Sequence, residues 1–396
     1  MRGMKLALGA AALLLSSVSA QAFDTQAGSA YVLDFESGTV LMTKNADVPL
    51  PPASMSKLMT LYMTFEAIEK GILDLDQELP VSAAAQAFGG STMFLQAGER
   101  VKVVDLIRGI IVLSGNDASV VLAEALGGTE AKFAEMMTAR AQQLGMTNST
   151  FINSSGWPAA GHRMSMRDLG LLTTKLIREF PQYYGLFAEE EFLFDAKEPA
   201  NRYNRNPLLG LGIGADGLKT GHTQEAGFGL VGSAKQGNRR IIFVISGLDT
   251  AEARARESET ITNWAFRQFA QTDLGAAGLK IAQADVSLGA VSSVDMVLAE
   301  DLSLLLPVNP IELLKMEVVY EGPISAANTD KPIRAGDKIG ELIISPEGLP
   351  EKRVDLLAGS DVAPHGFVDR VKSAGLHLLA RYSTLQDPNA QSPNDS

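Results

Sequence analysis

Apolar and polar residues alternate on both sides of Gly38 in the segment SAYVLDFESGTVLMTKNAD. Because side chains of a strand point to opposite faces at every second residue, and because Gly38 can adopt a positive φ, this segment predicts a β-hairpin. Over residues 53–70 the apolar positions recur at helical spacing instead, and Gly71 follows where a helix would end. The chain therefore opens with two strands and a helix.

Helical spacing returns in four later segments, VVDLIRGIIVL, ASVVLAEAL, AKFAEMMTARAQQLG and MRDLGLLTTKLIREF. Strand patterns follow in DGLKTGHT, GFGLVGSAK and RRIIFVISGL, and a last helix is predicted to end in NWAFRQFAQTD. Strands thus stand at both ends of a helical block. We expect a mixed α/β (α+β) fold in which the first hairpin and the late strands form one antiparallel sheet, covered by a helix and flanked by a helical lobe. The cleft between lobe and sheet is the expected site.

The pattern changes near residue 273, where short β-rich segments separated by Gly, Pro and Asn begin. We therefore predict a first domain over residues 23–272 and a small all-β C-terminal domain over residues 273–362. A helical pattern then occupies residues 363–383. The polar residues 384–396 are predicted to be disordered.

The N-terminal segment predicts a location outside the cytoplasm, and the C-terminal segment predicts contact with a membrane surface. Residues 1–22, MRGMKLALGAAALLLSSVSAQA, place two cations before a short apolar run that ends in A-x-A, which is typical of a secretory signal peptide. The run is shorter than the roughly 20 apolar residues that span a membrane. Written as a helix, PHGFVDRVKSAGLHLLARYS has an apolar stripe flanked by cations, as in helices that lie in the headgroup region. This helix could instead dock on its own β-domain.

Composition argues against several classes of function. The net charge of −12 argues against a nucleic-acid partner, because binding to phosphates needs a basic face. The chain has no cysteine, so it has neither disulfides nor a thiolate metal site, and its four histidines argue against a histidine-based metal site. Outside the cytoplasm there is no pool of ATP or nicotinamide. We therefore expect no metal and no cofactor.

The segment PPASMSKLMT carries two polar groups at the head of an otherwise apolar helix. Ser54 and Lys57 are three residues apart, so they share one helical face on which the amine can reach the hydroxyl. A lysine whose pKa is lowered by burial and by a second cation can be the base that activates a serine. The helix N-terminus favours the developing oxyanion. Alone, S-x-x-K is a weak signal, and an N-cap serine beside a surface lysine is the simpler interpretation.

Two further motifs favour the catalytic interpretation of Ser54 and Lys57 instead. LSGND places Ser114 and Asn116 between two helical patterns. DGLKTGHT places Lys219, Thr220 and Gly221 on a predicted strand. S-x-x-K on a helix, S-x-N at a loop and K-T-G on a strand, in this order, are the motif set of penicillin-binding proteins and class A β-lactamases.

From the hairpin almost to the C-terminus, the chain resembles low-molecular-mass penicillin-binding proteins of the D-alanyl-D-alanine carboxypeptidase family. The segments that resemble that family in order are ASMSKLMT, GGSTMFLQAGERV, LIRGIIVLSGNDASVVLAE, NRNPLL, DGLKTGHTQEAGFGLVGSA and DKPIRAGDKIGELII. The resemblance implies the transpeptidase fold shared with β-lactamases, followed by the family's C-terminal β-domain. One departure lies in the loop INSSGWPAAGHRMS, which has Ser155, Gly156 and Trp157 where some relatives carry a histidine.

The resemblance implies a serine-type carboxypeptidase that acts on peptidoglycan stem peptides ending in D-Ala-D-Ala and that is acylated by β-lactam antibiotics. Ser54 would attack the carbonyl between the two D-alanines, and Lys57 would take its proton. Ser114 would pass the proton to the leaving amine, with Lys219 supporting the electrostatics. Asn116 would donate a hydrogen bond to the amide side of the substrate. Relatives resemble the chain in ending with a membrane anchor, so we expect a periplasmic enzyme on the outer face of the inner membrane.

The other expected site residues surround these five. The backbone N–H groups of Ser54 and His222 would form the oxyanion hole. Thr220 and Arg205 would bind the terminal carboxylate, although Arg205 could equally be structural. At Gly221 a side chain would block the approach of the substrate backbone to the strand.

Several alternatives stay open at this point. The segment GGSTMF, which contains Ser91, could line the site or form a plain turn. A class A β-lactamase would need a glutamate that activates deacylating water, usually in E-x-x-L-N, and no such stretch occurs between Ser114 and Lys219. A DD-endopeptidase would use the same residues. A non-catalytic wall-binding protein could retain the pocket, but binding alone does not explain why the whole set is kept together.

Overall fold

The structure is a computed structural model. It describes residue 366 and residues 23–364, except 196–197, 309–313, 327–331 and 347. The predicted signal peptide, the predicted tail and nearly all of the predicted C-terminal helix lie outside the described residues. Within the described part of the chain, no helix is both long enough and apolar enough to cross a bilayer.

A five-stranded antiparallel sheet lies at the centre of the first domain. The strands of this domain are β1 (Ser29–Asp34), β2 (Val40–Lys44), β3 (Glu78–Pro80), β4 (Arg100–Lys102), β5 (Ala215–Thr223), β6 (Gly227–Gln236) and β7 (Arg239–Leu248). The sheet has the order β2-β1-β7-β6-β5, and β3 pairs with β4 separately. Tyr31 of β1 is opposite Thr43 of β2 and Val244 of β7. The first hairpin therefore joins the late strands, as the sequence predicts.

Helices cover both faces of this sheet. They are α1 (Lys57–Glu69), α2 (Ala83–Gln86), α3 (Val103–Arg108), α4 (Asn116–Gly127), α5 (Glu130–Gln143), α6 (Met166–Glu179), α7 (Pro181–Tyr184) and α8 (Ala251–Gln268). On one face, a large buried cluster that includes Tyr31 and Leu169 joins the sheet to the helical lobe. On the other face, Ile261 of α8 packs in a second cluster with Phe243. The predicted fold, a sheet with a helical lobe beside it, is confirmed.

Two segments predicted as regular helices change their hydrogen-bonding pattern beside the cleft. Residues Ala53–Ser56 form a 3-10 turn and α1 begins only at Lys57, so Ser54 precedes the α-helix instead of lying in its first turn. After α3, the residues Gly109–Leu113 form a π-helix that ends at Ser114, whose φ is 62°. Apolar spacing over five residues does not separate these helix types, and short π segments are frequent at functional sites.

A second, all-β domain follows the first. Its strands are β8 (Phe269–Gly275), β9 (Lys280–Ser287), β10 (Ser293–Leu298), β11 (Leu302–Pro307), β12 (Leu314–Val319), β13 (Ile324–Ser325), β14 (Lys338–Pro346) and β15 (Lys352–Ala358). Six of them form a sheet in the order β12-β14-β15-β10-β9-β13, whereas β8 pairs with β11. Met296, Leu342 and Leu356 lie in its own buried core.

The two domains are joined without an intervening loop. Helix α8 ends at Gln268 and β8 begins at the next residue. Phe269 is buried in the same cluster as Ile261 of α8 and Leu305 of β11, and its carbonyl accepts a hydrogen bond from Arg239 Nη1 at 2.6 Å. The boundary predicted between residues 272 and 273 therefore falls inside β8.

Candidate active site

A serine hydroxyl and a buried amine meet at the N-terminus of α1. Lys57 Nζ donates hydrogen bonds to Ser54 Oγ at 2.8 Å and to the carbonyl oxygen of Ser155 at 2.6 Å. The Lys57 side chain has no solvent exposure. The contact that the S-x-x-K spacing predicts is therefore present, although a 3-10 turn rather than an α-helix carries the serine.

Burial makes Lys57 a weak base. Burial first, and the positive charge of Arg205 second, lower the pKa of Lys57 from its usual 10.5 to about 7, against the opposing effects of Asp117 and Glu130. Burial and a nearby cation are the two causes that the sequence predicts, and Arg205 is such a cation. Near pH 7 about half of the molecules therefore carry a neutral amine, which has a lone pair that can accept a proton.

A second lysine and serine join the sheet to the helical lobe. Lys219 Nζ of β5 donates a hydrogen bond to Ser114 Oγ at 2.9 Å. Ser114 is held in the left-handed region, which is strained for a residue with a side chain. Burial lowers the pKa of Lys219 well below its usual value, and repulsion from Lys57, Arg205 and Arg254 lowers it further.

The asparagine of the S-x-N motif holds the loop that contains Gly89. Asn116 Nδ2 donates to the carbonyl oxygen of Gly89 at 2.8 Å. The neighbouring carboxylate of Asp117 is buried and accepts hydrogen bonds from the backbone N–H groups of Met93 at 2.9 Å and Leu95 at 3.1 Å. Sequence reasoning gave Asp117 no role. Its signal was an acidic residue in the first turn of an otherwise apolar helix, where a buried carboxylate needs donors.

Two arginines flank the lysines, and sequence reasoning found only one of them. Arg205 is exposed and donates to Ser91 Oγ at 2.6 Å and to the Leu113 carbonyl at 3.1 Å. Arg254 of α8 is buried and donates to the Arg205 carbonyl at 3.3 Å, while its Nε has no partner among the described residues. Burial and Arg205 lower the pKa of Arg254. Arg205 thus combines structural hydrogen bonds with an exposed guanidinium that a substrate can reach.

The K-T-G strand packs against the turn that carries Ser54. A Cβ added at Gly221 would lie 2.9 Å from Met55 Cγ and 3.0 Å from the Pro52 carbonyl. The absent side chain therefore leaves room for the nucleophile's own turn, a different reason from the predicted approach of substrate. The next residue, His222, is exposed and stacks on Phe228 with ring centroids 3.8 Å apart. Thr220, on the other side of Gly221, is buried.

A loop over residues 153–157 completes the surroundings of Lys57. Glu130 accepts hydrogen bonds from Ser154 N at 3.0 Å and Ser154 Oγ at 2.6 Å. Gly156 has a φ of 78°, and a Cβ there would lie 1.9 Å from the Ala53 carbonyl oxygen. The loop is therefore fastened to α5 and fits tightly against the turn of Ser54. Sequence reasoning did not identify Glu130.

No metal site accompanies these groups in the part of the chain that the structure describes, since it contains no cluster of three or more His, Cys, Asp or Glu suited to an ion. The arrangement supplies a serine nucleophile, a weakly basic amine beside it, a second lysine and serine pair, and an excess of positive charge. Such a set is suited to acyl transfer with an anionic substrate.

Comparison with known proteins agrees with this chemistry. Residues 16–250 match the D-alanyl-D-alanine carboxypeptidase family, and residues 269–364 match the C-terminal domain of penicillin-binding protein 5. The chain belongs to the D-alanyl-D-alanine carboxypeptidase family. The resemblance inferred from the motifs is thereby confirmed, as is the fold with its C-terminal β-domain.

Individual relatives cover most of the chain. D-alanyl-D-alanine carboxypeptidase DacC of Escherichia coli is 34% identical over 381 residues, which are 92% of this chain and 93% of that protein. The crystal structure of penicillin-binding protein 5 from Haemophilus influenzae is similar with a TM-score of 0.68 and 31% identity, over 86% of this chain and 98% of that one. Penicillin-binding protein D2 of Listeria monocytogenes in its ampicillin-bound form is 33% identical with a TM-score of 0.56, over 61% of this chain and 98% of that one.

The lowered pKa of Lys57 predicts the pH dependence of acylation. Because the neutral amine is the base, the rate of labelling by a fluorescent penicillin should rise with pH through about 7 and level off above it. Lys57→Ala should lower this rate by about 10²-fold or more. Lys57→Arg keeps a cation that does not deprotonate, so it should be equally slow. Wild-type labelling rates in Lys57→Arg, with the fold verified by circular dichroism, would assign the base to another group.

The tight fit of Gly156 predicts that a single methyl group there disturbs the nucleophile. Gly156→Ala should lower the free energy of unfolding by about 1–3 kcal/mol, measured by urea denaturation, and slow penicillin labelling more than about tenfold. Gly161→Ala is the matched control, because Gly161 also has a positive φ, 86°, but its added Cβ would have only Ile152 Cδ1 nearby, at 3.8 Å. Equal losses in the two variants would assign the effect to backbone strain instead of the collision with Ala53.

Proposed function

We propose that the protein is a serine-type D-Ala-D-Ala carboxypeptidase that removes the terminal D-alanine from peptidoglycan stem pentapeptides and is acylated by β-lactams. The observation that carries this proposal is the hydrogen bond between the buried, weakly basic Lys57 amine and Ser54 Oγ, in a chain of this family. A relative whose structure contains bound ampicillin supports the β-lactam part.

Acylation begins at Ser54. Its Oγ attacks the carbonyl carbon between the two D-alanines while Lys57 takes the hydroxyl proton. When the C–N bond breaks, the proton passes through Ser114 Oγ, which Lys219 holds, to the amine of the departing D-alanine. The products are free D-alanine and an ester on Ser54, which water then hydrolyses to release the shortened peptide.

Two backbone N–H groups stabilise the oxyanion in this scheme. Ser54 supplies one from the 3-10 turn just before α1, where the dipole of that helix also favours negative charge. His222 supplies the other from β5. The absence of a side chain at Gly221 supports this pairing, because it lets β5 pack against Met55 of the nucleophile's turn.

Positive charge selects the free carboxylate of the substrate. The exposed guanidinium of Arg205 can bind this carboxylate in bidentate fashion, with the Thr220 hydroxyl nearby on the strand. Arg254 lies behind Arg205 and has a buried Nε without a partner among the described residues. A bound carboxylate would offset the mutual repulsion of Arg205, Arg254 and Lys219, so a peptide with an amidated end should bind less well.

Replacement of the nucleophile tests the proposal directly. Ser54→Ala should release no D-alanine from a pentapeptide and should form no covalent penicillin adduct in intact-protein mass spectrometry, because it removes the hydroxyl that accepts the hydrogen bond from Lys57 Nζ. Ser56→Ala is the matched control, since Ser56 lies in the same turn with a buried hydroxyl that has no partner among the described residues, and it should keep both activities. Penicillin found on Ser54→Ala would overturn the assignment. Cleavage of cross-linked peptide dimers without release of D-alanine from a pentapeptide would identify an endopeptidase.

We also propose that the enzyme works in the periplasm on the outer face of the inner membrane. The proposal is supported by the signal-peptide pattern of residues 1–22 and by the apolar stripe flanked by cations over residues 363–383. There the site would be close to newly made stem peptides that are not yet cross-linked. The β-domain would act as a stalk that lifts the site from the membrane.

Truncation tests the membrane contact. A protein that ends before Pro364 should move from the membrane fraction to the soluble periplasmic fraction and keep its activity on small peptides, because the catalytic residues all lie in the first domain. The full-length protein should sediment with liposomes that contain anionic lipids. If the full-length protein does not sediment with liposomes, or if the truncated protein stays in the membrane fraction, residues 364–383 are not the anchor.

A further inference from the structure

We propose that Trp157 forms an apolar subsite for the side chain that precedes D-Ala-D-Ala in the substrate, an inference that rests on the proposed function. The indole is 45% exposed, although the residues just before it in the loop are buried. A large aromatic side chain left half exposed beside a cleft offers much apolar surface to a ligand at a low entropic cost.

The loop holds Trp157 in place before any ligand arrives. Asn153 Oδ1 accepts hydrogen bonds from Gly156 N at 2.8 Å and Trp157 N at 3.1 Å, and Asn153 Nδ2 donates to the Trp157 carbonyl at 2.9 Å. The indole also meets Phe88 edge to face, with ring centroids 5.9 Å apart at 89°. A surface fixed in this way binds a ligand without first losing its own conformational freedom.

The indole borders the same space as Asn116. A Cβ added at Gly90 would lie 2.8 Å from indole Cζ3 and 3.2 Å from Asn116 Nδ2. The same amide donates to the carbonyl of Gly89. The absence of a side chain at Gly90 therefore lets the indole and Asn116 lie close together, and a side chain there would force them apart.

This neighbourhood defines the chemistry of the occupant. The family resemblance implies that Asn116 donates a hydrogen bond to the amide side of the substrate, and in that position the side chain of the residue before D-Ala-D-Ala would come within reach of Trp157. That residue in a stem peptide is a diamino acid with a run of methylene groups. The methylene groups can pack against the indole, which removes their surface from solvent. The polar end of the side chain can extend past the exposed edge of the indole into water.

Two peptides that differ only in this side chain test the subsite. They are Nα,Nε-diacetyl-L-Lys-D-Ala-D-Ala and Nα-acetyl-L-Ala-D-Ala-D-Ala, compared by kcat/KM for the release of D-alanine. In Trp157→Ala the preference for the lysine peptide should fall about tenfold, mainly through KM, because about two methylene groups lose their cover. Trp157→Leu keeps an apolar surface and should lose less of the preference.

A control separates this effect from general damage to the protein. Ile72→Ala removes an apolar side chain that is 62% exposed just after the far end of α1, and it should keep the preference of the wild-type enzyme. An equal loss on both peptides in Trp157→Ala, or an unchanged preference, would overturn the subsite.

Fluorescence gives a readout that does not depend on turnover. The chain contains two tryptophans, and Trp264 packs between Phe23 and Phe269 away from the cleft. Trp264→Phe therefore leaves Trp157 as the reporter. Acylation by benzylpenicillin should shift its emission more than acylation by 6-aminopenicillanic acid, which lacks the acyl side chain. Equal shifts would contradict the subsite. Failure of the wild-type enzyme to release D-alanine would instead contradict the proposed function, and the fluorescence comparison would still decide on Trp157.

Discussion

An amine without solvent exposure sets the requirements that the rest of the site meets. Burial of a charged Lys57 would cost free energy. Burial together with the charge of Arg205 lowers the pKa of Lys57, which favours its neutral form. The neutral amine still needs partners, and it finds them in Ser54 Oγ and the Ser155 carbonyl. The turn that carries Ser54 and the loop that carries Ser155 must therefore both stay within hydrogen-bonding distance of Lys57.

Carboxylate and amide side chains of the helical lobe hold the loops around Lys57 in position. Asp117 accepts from the backbone N–H groups of Met93 and Leu95, Glu130 accepts from Ser154, and Asn153 accepts from the backbone N–H groups of Gly156 and Trp157. These side chains do not need to touch a substrate to matter. They convert segments without regular structure into rigid walls, because each buried acceptor is satisfied only while its loop stays in position.

Much of this could be predicted from the sequence, for identifiable reasons. Strands and helices with one buried face are recognised by the period of their apolar residues. The three motifs predict Ser54, Lys57, Ser114, Asn116 and Lys219 as site residues, and in the structure Lys57 contacts Ser54 and Lys219 contacts Ser114. Contacts made by folding were not predictable in the same way. Arg254 is one basic residue among several on α8, the role of Gly221 depends on Met55 from a distant segment, and the 3-10 turn has nearly the spacing of an α-helix. No turn residue marks the passage from α8 to β8, and the predicted boundary between residues 272 and 273 lies inside β8.

The direct passage from α8 to β8 has a mechanical consequence. The helix that carries Arg254 continues into a strand whose first residue, Phe269, is buried between the domains and held through its carbonyl by Arg239. This joint contains no loop residue between the helix and the strand. The position of the β-domain relative to the cleft is thus set by packed side chains and a hydrogen bond, and not by the length and flexibility of a linker.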